Sequence, residues 1–431
     1  MTYGGLNQVL NEHRAVDKRR RASSSVAGAP MPTGQHTPTP FFPPSIRGAT
    51  DDLPSHVAIC EERYITASNR IFRWAPSPGP ASSLSTSSGL NFDPSGLMRG
   101  AVTEVLEFSL EESTCVSYST AIIKYCAFCD SAGIPIQDRC PPSSGLLLAF
   151  VSSFVAKIRA DTAKKYLGAV ATWHRLWGHD WVIFPQVTYA LRGLKHFQPP
   201  ANDLRPPILA AHLHAVKAHL DIDSDPLHAA VWACSLFSWW AVCRLAETTS
   251  PSTPSFTPSR NATRASVQAH RQILGGKEIV RVDLPWTKTT KEKGQQKHVV
   301  KVGGALCPVE AFDNHLRLSP VPVSELSTTA LFAFRSSSMP GSTLVLPLSK
   351  TKFLTTFNAA LVRSGQEAFQ GHSFRIGGAT MYWHTGTDIK SIKLIGGWKG
   401  NSVLKYLREY ARGLLPAHER AAAAIAEAAP T

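Results

Sequence analysis

The sequence predicts a mainly α protein with a small β-sheet, an α+β fold in which a helical bundle precedes a larger domain built of helices around one hairpin. Three observations predict it. Apolar residues recur at spacings of three, four and seven from about 101 to 196, a single alternating apolar stretch lies in EIVRVDLPW and KHVVKV, and helical patterning returns from Pro308 to the end. The 431 residues are 43% hydrophobic and 18% charged, a globular composition with room for two or three domains. No stretch reaches the roughly 18 uncharged apolar residues of a membrane span. The N-terminus, MTYGGLNQVLNEHR, lacks the apolar core of a secretory signal. Neither a membrane partner nor secretion is expected. The eight cysteines are sparse for this length and several sit in apolar helical patterns, as reduced thiols do, which favours a reducing intracellular compartment.

In chain order, residues 1–98 read as a mostly disordered tail rich in Pro and Ser, with a short apolar stretch near Val57–Phe72. Lys18-Arg19-Arg20-Arg21 fits either a nuclear-import signal or a solvated patch. Residues 99–196 read as an all-α bundle. Its first helix carries Val116, Ile122, Ile123, Cys126 and Cys129. PSSGLLLAFVSSFVAKI follows with a Ser cap, then ADTAKKYLGAVATWHRLWG with Asp161 near its start, then TYALRGLK. Cys126-x-x-Cys129 reads as packing rather than zinc, because no second pair stands at ligand spacing. Trp173, His174 and Trp177 read as core. Four prolines in KHFQPPANDLRPPI make 197–207 a linker. The second domain, 208–431, opens with AAHLHAVKAHL and DPLHAAVWACSLFSWWAVCRLAE, where Trp239 and Trp240 are buried bulk, and passes through the hairpin before returning to helix. Its final segment, PAHERAAAAIAEAAPT, is a helix by propensity.

Charge is unevenly spread. Residues 1–100 carry 10 basic and 7 acidic side chains, 101–204 carry 9 and 9, and 205–431 carry 26 and 15, so the last segment supplies +11 of the net +14. A basic domain with no membrane signal points to a nucleic-acid partner, against the plainer reading of a merely soluble basic protein.

Polar residues interrupt the apolar helices of this domain. Arg244 and Glu247 follow its most apolar helix, His372 and Arg375 open another in GHSFRIGGATMYWH, and Trp398 stands in GGW ahead of SVLKYLREYAR. Each pair, at i and i+3, shares a helix face, and each alone reads as an ion pair or a capped helix start.

The order Arg-x-x-Glu, a Lys on a hairpin, His-x-x-Arg, Gly-Trp, and a Tyr on the following helix resembles the tyrosine recombinase (phage integrase) family over roughly 101–415. The phrases CRLAE, LPWTKTTKEKG, GHSFRIGGAT and GGWKGNSVLKYLR look most like recombinases of eukaryotic mobile elements such as Cryptons and DIRS-like retroelements. The resemblance implies a core-binding bundle and a catalytic domain that clamp double-stranded DNA, often as a homotetramer, in the nucleus of a host, with no cofactor and no metal. It makes Arg244, Lys288, His372, Arg375, Trp398 and Tyr406 the catalytic residues, with Glu247 in support. Two guanidiniums would stabilise transition-state charge on a phosphodiester. Tyr406 would form a 3′-phosphotyrosine link, and Lys288, with Lys291 and Lys293 as alternatives on the same turn, would protonate the leaving 5′-oxygen. Tyr406 stands eight positions after Trp398 where many members have nine; Leu407 has no nucleophilic atom, and Tyr410, one helical turn on, is the competitor. Tyr382, Trp383 and His384 read as core or as neighbours of the site. Two other readings are a catalytically silent, domesticated DNA-binding protein of this fold and a type IB topoisomerase, which the small bundle and the lack of a large clamp region disfavour.

Overall fold

A computed structural model of the chain describes residues 66–74, 76, 84–85, 91–92, 105–201, 203–268, 271–336 and 344–427. The basic run at 18–21 and most of the predicted tail lie outside them. The chain divides into two compact units at Asn202–Asp203, inside the Pro-rich stretch. Among the described residues no helix is long and apolar enough to cross a membrane.

The first unit is helical apart from a short antiparallel pair, Leu84–Ser85 with Asn91–Phe92. Helix α1 (Arg70–Arg73) is followed by α2 (Glu112–Ser131), α3 (Ser144–Ser152), α4 (Ala160–Leu176) and α5 (Pro185–Leu194). The Ser143 side chain caps α3, accepting from the Leu146 amide at 3.2 Å. On α2 the buried stripe is Cys115, Ser119, Ile122, Cys126 and Cys129, while Val116 and Ile123 face solvent. Two of the apolar positions that marked this helix in the sequence therefore belong to its outer side. Cys126 and Cys129 pack in the core beside Tyr125 and Phe150. Burial pushes the Cys126 thiol up to about 12, first by desolvation and then by its neighbour Cys129, so both stay protonated. Trp173 and His174 are core residues, and burial drives His174 down to about 4.

The sequence reading of 1–98 as a disordered tail needs correction at 66–74. Ile71 and Trp74 are buried in the helical core. Trp173 Nε1 donates to the Trp74 carbonyl at 2.6 Å, Trp177 Nε1 donates to the Ile71 carbonyl at 3.1 Å, and Arg70 reaches Ser119. The aromatic indoles of α4 need apolar cover and acceptors, and this distant segment supplies both. A chain beginning at residue 99 should therefore lose stability in its helical unit relative to one beginning at 66. A cost of about 3 kcal/mol or more is expected, the size of removing a buried Trp with its neighbours, and thermal unfolding followed by circular dichroism would measure it.

The second unit comprises α6 (Ala210–Lys217), α7 (Pro226–Trp240), the short α8 (Leu245–Thr248), strands β1 (Arg271–Leu274), β2 (Lys277–Leu284) and β3 (Gln295–Val300), α9 (Pro308–Leu318), the pair β4 (Phe334–Arg335) and β5 (Val345–Leu346), α10 (Lys350–Arg363), α11 (His372–His384), α12 (Ile389–Gly396) and α13 (Tyr410–Glu427). The predicted hairpin is two strands of a three-stranded antiparallel sheet ordered β1-β2-β3, with Val282 opposite Lys297. Strand β1 escaped the sequence reading because all four of its residues are exposed, so it carries no alternation; the Gly275-Gly276 turn after it was the available signal.

Helix α7 is buried nearly all round and forms the centre of the core with α6, α9, α10 and the inner face of the sheet. Phe374, on the first turn of α11, packs on Phe353 and Phe357 of α10 at ring separations of 5.2 and 4.8 Å. Gly377 and Gly378 let α11 press against the backbone of Ile208 and Trp239, where any Cβ would collide with a carbonyl oxygen. That close approach fixes the start of α11 relative to the end of α7. Of the residues singled out by the sequence, Arg244 and Glu247 lie just past the end of α7 and His372 and Arg375 on the first turn of α11.

Candidate active site

The residues upstream of α8 leave α7 abruptly. Val242 adopts φ +51°, a left-handed conformation that a β-branched side chain resists, and is fully buried. Two residues later Arg244 caps α8. Its backbone N–H donates to Glu247 Oε2 at 2.9 Å and its Nη1 donates to Oε1 at 2.7 Å, so both carboxylate oxygens of the buried Glu247 hold one arginine. This fixes the Arg244 guanidinium while leaving its side chain 21% exposed.

Helix α11 carries His372 and Arg375 in its first turn. Arg375 is fully buried. Its Nη1 donates to the Val242 carbonyl at 2.5 Å and its Nη2 to the Gly396 carbonyl at 2.8 Å, while Nε is buried without a hydrogen-bond partner. The guanidinium lies 3.9 Å from the centroid of the Trp398 ring and 5.4 Å from that of Tyr406. Burial, then the nearby Arg244, lowers the Arg375 pKa. The sequence expected this guanidinium to fork onto a ligand; in the structure both Nη atoms already serve backbone carbonyls.

Trp398 is buried over Gly396, where a side chain would leave no room for the indole. Gly397 ends α12 at φ +72°. The Tyr406 ring packs between His372 and Trp398, with centroids at 5.0 and 4.9 Å. Helix α11 also holds this stretch from behind: Thr380 Oγ1 donates to the Tyr406 carbonyl at 3.2 Å and His384 Nε2 to that of Arg408 at 3.1 Å. His372 is half-buried. Desolvation first, then Arg375, Arg205, Arg244 and Arg408, lowers its pKa, which keeps the imidazole neutral at pH 7 and able to accept a proton.

Tyr406 does not stand on the expected helix. It closes a 3-10 segment, Asn401–Tyr406; Leu407 is extended, Glu409 has φ +48°, and α13 begins at Tyr410. Tyr406 and Tyr410 therefore share no helix face. Tyr410 is 50% exposed and its hydroxyl donates to the Leu404 carbonyl. Of the two tyrosines only Tyr406 enters the aromatic and cationic cluster.

Lys288 is exposed on the β2–β3 turn, and among the described residues no hydrogen bond or ion pair joins it to the cluster. Lys291, at φ +53°, lies 5.2 Å over the Trp286 ring, and Lys293 is exposed. The lysine brought to the site is one that sequence reasoning missed: Lys297 of β3, 1% exposed, with Arg244, Glu247 and Arg375 in its electrostatic surroundings. The signal was the strand alternation, which puts Lys297 on the same inward face as Val299. Tyr382, Trp383 and His384 lie beside the site, with Tyr382 donating to the Trp240 carbonyl at 3.1 Å. Among the described residues no three His, Cys, Asp or Glu side chains converge as a metal site.

No protein-family model matches the chain, and neither does any curated protein sequence. Among solved structures it is similar to a λ integrase dimer bound to a COC′ core site, at 13% identity over 73% of this chain and 95% of that one, with a TM-score of 0.46. It is also similar to the XerH site-specific recombinase bound to a palindromic difH substrate, at 11% identity over 74% and 83%, TM-score 0.46. A λ integrase tetramer bound to a Holliday junction matches at 14% identity over 73% and 77%, TM-score 0.44.

Proposed function

We propose that this protein is a site-specific DNA recombinase of the tyrosine recombinase family that cuts and rejoins DNA through a 3′-phosphotyrosine intermediate. The observation that carries the reading is the assembly of His372, Arg375, Trp398 and Tyr406, spread over 35 positions, into one ring-and-cation cluster next to Arg244. In the reaction Tyr406 Oη attacks phosphorus and gives up its proton to the neutral His372. The bond from phosphorus to the 5′-oxygen breaks, and Lys288 on its exposed turn supplies a proton to that oxygen, giving a free 5′-hydroxyl. Rejoining runs the same steps backwards. Arg244, steered by Glu247 and partly exposed, is the donor that meets charge building on the nonbridging oxygens, while the buried Arg375 adds its positive charge from behind and holds the Val242 and Gly396 carbonyls. No step calls for metal or nucleotide.

Further parts of the proposal are a eukaryotic mobile-element origin, a nuclear location served by Lys18–Arg21, and a homotetramer on DNA. The exposed Leu414, Leu415 and Ile425 of α13 support assembly between copies. The experiment is incubation with nicked duplexes taken from the DNA flanking the gene, followed by a search for an SDS-resistant covalent adduct. Binding should also weaken with salt, log affinity falling against log salt at a slope of about −0.9 per neutralised phosphate; a flat response in a titration would remove the DNA partner. A second reading, a silent DNA-binding protein of the same fold, is favoured by the complete burial of Arg375 and the engagement of both its Nη atoms. It predicts the salt slope without the adduct.

A further inference from the structure

We propose that Lys297 is a positioning residue of the Tyr406 site, a buried cation that ties the segment carrying Arg244 to the segment carrying Trp398. The inference rests on the recombinase reading for its catalytic consequence, and on geometry alone for the tie itself. Lys297 Nζ donates to the Ala241 carbonyl at 3.1 Å and to the Ile395 carbonyl at 2.7 Å. Arg375 donates to the next residue of each segment, Val242 and Gly396. Two cations from different elements, β3 and α11, thus clip the same two segments one residue apart.

Each segment is a helix end, tied back by Cys243 N–H to the Ser238 carbonyl at 2.9 Å and by Trp398 N–H to the Lys393 carbonyl at 2.9 Å, and beyond these bonds the chain leaves the helix. Ala241–Arg244 runs through the left-handed Val242, and the chain after Ile395 turns through the left-handed Gly397. Arg244 follows Ala241 by three residues, and Trp398 follows Ile395 by three. An error in either carbonyl's position is therefore passed directly to a proposed catalytic side chain. Core filling does not explain the choice of residue. A methionine would occupy the same volume, whereas an ammonium beside Arg375 and Arg244 is opposed both by burial and by like charge, with the Glu247 carboxylate the anion that favours it. What the ammonium adds is a donor for the Ile395 carbonyl and a second, stronger one for the Ala241 carbonyl, which also accepts from the Cys243 thiol at 3.7 Å.

The test uses the full chain and two readouts of Lys297→Met. Amide hydrogen exchange in residues 241–244 and 395–398 should quicken by about tenfold or more while α7 and α10 keep their protection. The rate of adduct formation at saturating nicked DNA should fall by about tenfold or more with DNA affinity unchanged, because a small misplacement of preorganised donors is felt in the chemical step. Lys297→Gln, which keeps two N–H donors on a shorter arm, should regain part of both. Unchanged exchange in either segment, or adduct formation at the wild-type rate, overturns the proposal. If the wild-type chain forms no adduct, the recombinase reading fails while the exchange experiment still judges the tie. Should Lys297→Met not fold, Lys297→Gln is read against the same two criteria; if neither folds, Lys297 serves stability rather than position and the proposal is wrong.

Discussion

Tyr406→Phe should abolish the covalent protein–DNA adduct while leaving the fold and DNA affinity intact. The substitution removes one oxygen, and the ring can keep its place between His372 and Trp398, 5.0 and 4.9 Å away. Packing supplies most of what an aromatic residue contributes to stability, so the melting temperature should move little. With the proposed nucleophile gone no group is left to form the ester, and the expected fall is on the order of 10⁴-fold or more, below detection on a denaturing gel. Tyr410→Phe is the control. Its hydroxyl is spent on the Leu404 carbonyl and its ring is half exposed, so its loss should leave the adduct unchanged. Mass spectrometry of the DNA-linked peptide decides between them. An adduct on Tyr410, or one that persists in Tyr406→Phe, sinks the assignment.

Arg375→Ala should damage the protein twice. From sequence alone the residue reads as a donor to the phosphodiester whose removal slows chemistry and spares the fold. The structure changes that expectation, because this guanidinium holds the Val242 and Gly396 carbonyls and supports the Trp398 ring from 3.9 Å. Truncation leaves two buried carbonyls without donors and a cavity beneath the indole, at a cost of about 3–5 kcal/mol. For a unit of this size that is a fall in melting temperature of roughly 6–20 °C. Adduct formation should drop by at least about 10²-fold at a temperature where the variant is still folded. Arg375→Lys should recover part of the stability and little of the rate, since an ammonium cannot reach two carbonyls and still present a planar face to Trp398. A fully stable Arg375→Ala would mean that the two carbonyl contacts contribute nothing.

Much of the architecture was legible in the sequence because it is local. Helical periodicity, the Ser143 cap and the alternation in β2 and β3 are decided by residues within one or two turns of each other, so their elements stand close to where the pattern put them. The motif order also placed Arg244 and Glu247 together, because a capping contact at i and i+3 is a local event. Contacts over long separations were not legible. That Ile71 and Trp74 complete a core with Trp173 and Trp177 involves partners about a hundred positions apart, and a Pro/Ser-rich neighbourhood hid them. The exposed strand β1 gave no alternation to read. Whether Tyr406 or Tyr410 faces His372 depends on a break at Glu409 that ends any shared helix, and spacing alone leaves both open. Lys297 looked like one more charge in a basic hairpin. Only the folding of β3 against the ends of α7 and α12 turns it inward, where Ala241 and Ile395, 56 and 98 positions away, present the carbonyls that make a buried ammonium tolerable.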